Sequence, residues 1–389
     1  MLFRKGVLMV LEIGRQLDDS ASLGRAVDDL LGSPTLLALG EPAHGIEAFP
    51  LLRNELLAQL VARGYRSIAL EIDYFAASTV DEYVSGAGMD LDEVLATGFS
   101  HGFGAVPGNR ELLEWLRAHN AARARQDRVR FYGFDAPVEH SGAPSPRQAL
   151  CSVVEYLPAA LRPESVRDLD ALLGDDADWT NEAAMYDPAA SIGNSDRARA
   201  LRSITDDLAS ALRTLRPTAD VAAHARTAQG LLRYHAAMAS SRPDRIATLL
   251  GVRAEMMAEN LLAIVAQEQH RGPSLVFAHN AHLQRAGGSA GALVARTLGD
   301  RYAFVATDAN PRSVPGTLQG ALAEATERRA LFPAAALRAA LPPSIAAGEP
   351  IVRGHLPLQP AELDSADAVV FIADTDGRQR WPDVTGDRH

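Results

Sequence analysis

Two short apolar runs in this chain each end on a glutamate, and the first adds a histidine. Thr35–Gly40 leads into Glu41-Pro42-Ala43-His44-Gly45, and Ser67–Leu70 leads into Glu71. A histidine flanked by carboxylates can take a proton from water near neutral pH, because the carboxylates stabilise the imidazolium that forms. A glutamate that is desolvated, or clustered with like charge, holds its own proton to higher pH and can donate it. The competing reading is structural: Glu41 caps the next helix and His44 is a satisfied loop histidine. A matching glutamate at the end of the second run favours chemistry. A third apolar run, Pro273–Ala278, leads into His279-Asn280-Ala281-His282. These two histidines can transfer a proton or stabilise an oxyanion. Alternatively, one ring bonds to backbone and the other is exposed.

Other residues could serve the same site. Arg53 could clamp a carbonyl or carboxylate, or be a solvated helix arginine. His101 sits in the glycine-rich loop Thr97–Gly104, whose glycine pattern does not read as nucleotide binding. Asp135 follows a further apolar run, Arg128–Phe134, and so stands at another strand end. Arg233 and Tyr234, with His235, could line a cap over the site. Histidines and glutamates also suit zinc or iron chemically. However, the GExxH motif lies in a loop after a strand, unlike the helical His-Glu-x-x-His arrangement, and a metal-free reading is preferred. No cofactor is implied. Neither a P-loop nor a GxSxG nucleophile elbow is present.

These residues need a scaffold. Between the first two runs, Leu51, Leu52, Leu56, Leu57, Leu60 and Val61 fall at helical spacing, and Gly64 stops the pattern. Strand–helix–strand of this kind gives parallel strands whose carboxyl ends share one edge, where ligands of open α/β sheets bind. The expected fold is α/β: a mainly parallel central sheet flanked by helices, with an inserted helical cap. The first half of the core spans 1–145, the helical insertion 146–271, the second half of the core 272–375, and a tail 376–389. Residues 8–31 read as one or two helices, and 315–345 as mostly helical. Strands are expected at Pro350–Arg353 and Asp367–Ala373, and Asp175–Asn194 reads as a polar loop.

Composition sets the outer bounds. The 389 residues are 47% hydrophobic and 22% charged, ordinary for a globular protein. A formal net charge of −11 argues against nucleic acid, whose phosphates want a basic face. The single cysteine, Cys151, rules out an intrachain disulfide and reads as a small helix hydrophobe. The apolar run Gly6–Leu11 is too short for a signal peptide, and nothing reaches the roughly 20 apolar residues of a membrane span. A cytoplasmic protein without a membrane partner is expected. Oligomeric state is left open.

Six segments in order resemble the erythromycin esterase family, and with Asp367–Ala373, which is similar to the family's closing strand, the resemblance runs from about residue 34 to 373. They are Gly40–Gly45, Ala69–Asp73, Glu111–Arg117, Tyr132–Asp135, Met257–Asn260 and Phe277–His282. The resemblance implies an α/β core with a helical insertion and a deep cleft, and metal-free opening of a macrolide lactone. It implies His44 as the general base activating water, Glu41 and Glu71 as its acidic partners, and His279 as a second essential histidine. Arg53 is similar to a basic residue near the family's site. Ala43 stands where the family commonly has threonine, which opens the substrate to other lactones or esters. Two alternatives stay open: a natural-product enzyme using the same base for cyclisation, dehydration or isomerisation, and a non-catalytic binder of macrolide-like ligands.

Overall fold

The computed structural model describes residues 10, 12–138, 142–310 and 314–374. Most of the N-terminal run at 6–11 and the tail expected at 376–389 lie outside the described residues. The strands are β1 (Arg15–Gln16), β2 (Leu36–Glu41), β3 (Ser67–Asp73), β4 (Arg130–Asp135), β5 (Ser274–His279), β6 (Tyr302–Ala309), β7 (Arg329–Pro333) and β8 (Ala368–Ile372). Among the described residues they form one sheet in the order β1-β7-β8-β6-β2-β5-β3-β4. β5 pairs parallel with both β2 and β3, and β6 pairs parallel with both β2 and β8. Every residue of β2, β5 and β6 is buried. Strands covered on both faces read as continuous apolar runs, which is why they stand out in the sequence.

The helices follow in chain order. The first core segment carries α1 (Ser20–Leu31), α2 (Ala48–Ala62), α3 (Ala77–Val84), α4 (Leu91–Thr97) and α5 (Pro107–Ala121). Next come α6 (Arg147–Tyr156), α7 (Leu169–Leu173), α8 (Asp196–Leu212), α9 (Ala219–Met238) and α10 (Arg245–Glu268). Last are α11 (Asn280–Leu283), α12 (Ala290–Leu298), α13 (Leu318–Glu324) and α14 (Ala334–Ala340). α2 is the crossover between β2 and β3. It buries Leu52, Leu56, Leu57, Leu60 and Val61, and stops where Gly64 takes a φ of +100°. No described helix is long and apolar enough to cross a membrane.

Three expectations about elements are corrected. The first region is not purely helical, because Arg15–Gln16 pairs antiparallel with β7. The region 315–345 contains β7, which pairs antiparallel with β8 and buries Ala330, Leu331 and Phe332. Alanines on either side favour helix, but sheet pairing at the edge overrides that weak preference. Pro350–Arg353 forms bends and a turn closed by Gly354 at φ +84°, not a strand. The sheet is therefore mixed, parallel in the middle and antiparallel at one edge.

The chain divides into two compact units. One is built from residues up to Glu71, Ala76–Gly133 and Glu268 onward; the other from Ile72–Phe75 and Phe134–Gln267. The second is helical. One of its apolar clusters gathers Leu150, Leu173, Trp179, Leu201, Leu208 and Leu232. Asp175–Asn194, expected as a loop, is a chain of short 3-10 turns. Trp179 anchors it, its Nε1–H donating to the Leu173 carbonyl at 2.8 Å.

Candidate active site

Strand register brings the first two chemical groups together. β2 and β5 run parallel with Glu41 opposite His279, and β3 pairs with β5 up to Leu70 opposite Phe277. Glu41, Glu71 and His279 therefore stand at one sheet edge. Close approach has a cost in side-chain room: a Cβ on Gly40 would lie 2.1 Å from Asn280 Oδ1. Asn280 uses that space to donate from Nδ2 to the Thr307 carbonyl at 2.8 Å, tying the β5 exit to β6.

The turn after β2 places His44 over the edge. Its Nδ1 lies 2.8 Å from Glu41 Oε1. With Glu41 ionised, Nδ1 carries the proton and Nε2 keeps its lone pair. Nε2 faces Glu71 Oε1 at 3.9 Å. The same oxygen lies 3.2 Å from His282 Nε2. The other Glu71 oxygen accepts the backbone N–H of His279 at 2.8 Å. One carboxylate thus stands between two imidazoles and is oriented by the strand between them.

Burial divides these groups by task. The His44 side chain is 36% exposed and that of His282 22%, whereas those of Glu41 and Glu71 are 7% and 5% exposed. Burial pushes the Glu41 carboxyl above its usual range, against the pull of His44. Its second oxygen is buried without a hydrogen-bond partner among the described residues. His279 is bonded at both ring nitrogens. Nδ1 accepts the Ala281 N–H at 3.1 Å, so the proton sits on Nε2, which donates to the Pro42 carbonyl at 3.1 Å. Burial, helped by the nearby His44, lowers its pKa to about 4. His279 is a neutral, fully engaged ring.

The remaining predicted residues fall in several places. Arg53 is buried on α2. It donates to Asn54 Oδ1, Asn109 Oδ1 and the Gly108 carbonyl, and lies 4.9 Å over the Phe277 ring. Burial lowers its pKa to about 9, with Glu41 opposing. In this arrangement it braces the start of α5 behind Glu41 and presents nothing to solvent. His101 adopts a left-handed φ of 58°, uncommon for a side-chain-bearing residue. Its ring lies 5.5 Å from Phe103, which packs 4.8 Å from His44. Phe103 is the contact that sequence reasoning missed; the glycines around it were the available signal.

Asp135, Arg233 and Tyr234 belong to the helical unit. Asp135 is fully buried and accepts from Arg253 Nε at 2.9 Å. Arg233 is exposed and paired with Glu255, and Tyr234 packs in an apolar cluster with Leu231 and Met238. Among the described residues, no group of three or more His, Cys, Asp or Glu side chains is arranged to hold a metal ion.

A model of the erythromycin esterase family matches residues 61–336. The chain belongs to the erythromycin esterase family. The match includes Glu71, His279 and His282, and begins after Glu41 and His44, which the sheet joins to them. An erythromycin esterase type II from Escherichia coli is 28% identical over 121 residues, 31% of this chain and 28% of that protein. The chain thus matches less than a third of that relative's length. A Bacillus cereus protein of solved structure superposes with a TM-score of 0.71 at 16% identity, covering 95% of this chain and 97% of that one. A succinoglycan biosynthesis protein gives 0.69 at 15%, covering 95% and 96%. An erythromycin esterase mutant in its open conformation gives 0.64 at 18%, covering 94% and 96%. These likenesses show the shared α/β fold, and erythromycin esterase family membership supports a hydrolase-like function.

Proposed function

We propose that this chain is a metal-independent ester hydrolase that opens a lactone, macrolide or related natural product, with His44 as general base. The observation that carries the reading is the half-open His44 ring, bonded through Nδ1 to buried Glu41 and presenting Nε2 beside Glu71. Water between Nε2 and the ester carbonyl gives its proton to His44 as its oxygen attacks carbon. Glu41 and Glu71 stabilise the imidazolium. Collapse of the tetrahedral adduct breaks the acyl–oxygen bond, and the leaving alkoxide takes back from the His44 imidazolium the proton that water gave up. The sequence reading gave that last duty to His279. Its two occupied nitrogens support a positioning role instead, delivering its backbone N–H to Glu71.

The test is mass spectrometry of a macrolide and lactone panel incubated with chelator-treated protein. The reading expects a product heavier by one water, absent with His44→Ala. An unchanged mass, or loss of one water, in a His44-dependent reaction would replace hydrolysis by isomerisation or dehydration. Ligand-induced thermal stabilisation without turnover, indifferent to His44→Ala, would indicate a binder.

A further inference from the structure

A second carboxylate–imidazole pair stands at the same sheet edge and takes no part in the chemistry above. Asp308, near the end of β6, is fully buried, and so is its partner His355. Asp308 Oδ1 accepts the Ala309 N–H at 2.7 Å and His355 Nε2–H at 3.0 Å. Oδ2 accepts Gln319 Nε2 at 2.7 Å and the Leu358 N–H at 2.9 Å. His355 has its proton on Nε2, because Nδ1 accepts the Ile351 N–H at 3.0 Å. With no solvent access, neither side chain can touch a substrate. Burying a carboxylate is costly unless donors surround it, and here two of the four, His355 Nε2–H and Leu358 N–H, come from an irregular segment with no ladder of its own.

That segment reaches the active-site turn. Leu356 N–H donates to the Pro42 carbonyl at 2.9 Å, although Leu356 as a residue is 58% exposed. The same carbonyl accepts His279 Nε2–H at 3.1 Å. Pro42 lies between Glu41 and His44 in the chain. One oxygen thus receives the docked segment and the second active-site histidine together.

We propose that Asp308 and His355 are positioning residues: they hold residues 351–358 so that Leu356 N–H pins the Pro42 carbonyl, which fixes the ring of His279 and the turn carrying His44. The proposal rests on the hydrolase reading only for its consequence in catalysis. The geometry predicts that releasing the segment frees His279 to exchange tautomers and regain protons.

The experiment is nitrogen NMR of protein labelled in its histidine rings, with the His279 signals assigned by their loss in His279→Asn. Two variants are compared with the parent. His355→Asn breaks the link between Asp308 and Ile351, and Leu356→Pro removes the amide donor to Pro42 beneath an exposed residue while also fixing φ at that position. In the parent, His279 stays in the Nε2–H form through mild acid. In both variants its ring nitrogens average between tautomers, and its protonation midpoint rises toward the ordinary 6.5. On any ester the parent turns over, kcat falls by roughly 10²-fold, the cost of a small misplacement of reacting groups. Unchanged His279 signals in the folded variants overturn the proposal, even if thermal stability drops. If His355→Asn does not fold, Leu356→Pro decides. If the parent turns over no ester, the hydrolase reading fails while the NMR comparison still judges the positioning.

Discussion

His44 with Glu41, and His355 with Asp308, are the same chemical pair at nearly the same distance: 2.8 Å in one and 3.0 Å in the other. Both sit at the end of a sheet strand. They differ in what surrounds them. Asp308 has both oxygens filled by four donors and its histidine has no free nitrogen. Glu41 keeps one buried oxygen without a partner among the described residues, and the His44 side chain is 36% exposed. A saturated pair is a clamp, because any change of protonation breaks a bond. An undersatisfied pair can change its protonation and remain in place, as a general base must.

Breaking each pair should therefore produce opposite symptoms. His44→Ala should cut kcat/KM on a converted ester by about 10²–10⁴-fold, the usual contribution of a positioned acid–base group. Thermal melting should barely move, since the ring is partly exposed. Asp308→Ala should do the reverse first: it strands four buried donors and should cost about 3–5 kcal/mol in urea denaturation. If His44→Ala unfolds the protein, or Asp308→Ala leaves stability untouched, the distinction between base and clamp collapses.

Glu41→Gln sharpens the contrast within the active pair. The amide keeps an oxygen for His44 Nδ1–H but cannot stabilise an imidazolium. Activity should fall by at least about tenfold, while stability holds or rises by up to about 1 kcal/mol because a desolvated charge is gone. A loss of both together would mean that Glu41 is structural.

How much of this the sequence displayed depends on distance along the chain. Glu41, His44 and Glu71 were legible because each follows a buried parallel strand directly, and parallel strands open at one edge. His279 and His282 were legible for the same reason. Asp308 stands near the end of such a strand too, but its meaning depends on His355, 47 residues later in a segment without periodicity. No local pattern could connect them. Arg53 was visible as a residue near the site, yet only packing shows that Asn54, Asn109 and Gly108 absorb its donors. β7 was hidden because a strand of five residues among alanines carries less signal than its flanking helices.

The smallest expected effect concerns the histidine between the two pairs. His279 has a folded pKa near 4, against about 6.5 in the unfolded chain. Between those values the unfolded chain binds more protons, so its contribution to stability is complete above pH 6.5. It is lost as pH falls toward 4, by at most about 1.4 kcal/mol per pH unit. Glu41 acts with the opposite sign: its raised pKa makes the folded state the better proton binder above the ordinary carboxylate range. The useful quantity is therefore the difference between the parent and His279→Asn, in which Glu41 is common to both. Urea denaturation at pH 7 and pH 5 should show the parent losing stability relative to the variant on acidification. Parallel curves would mean that His279 takes up protons while folded. The neutral ring bonded to Ala281 and Pro42 would then be only one of its states, and the histidine would return to the proton-transfer role that its place after β5 first suggested.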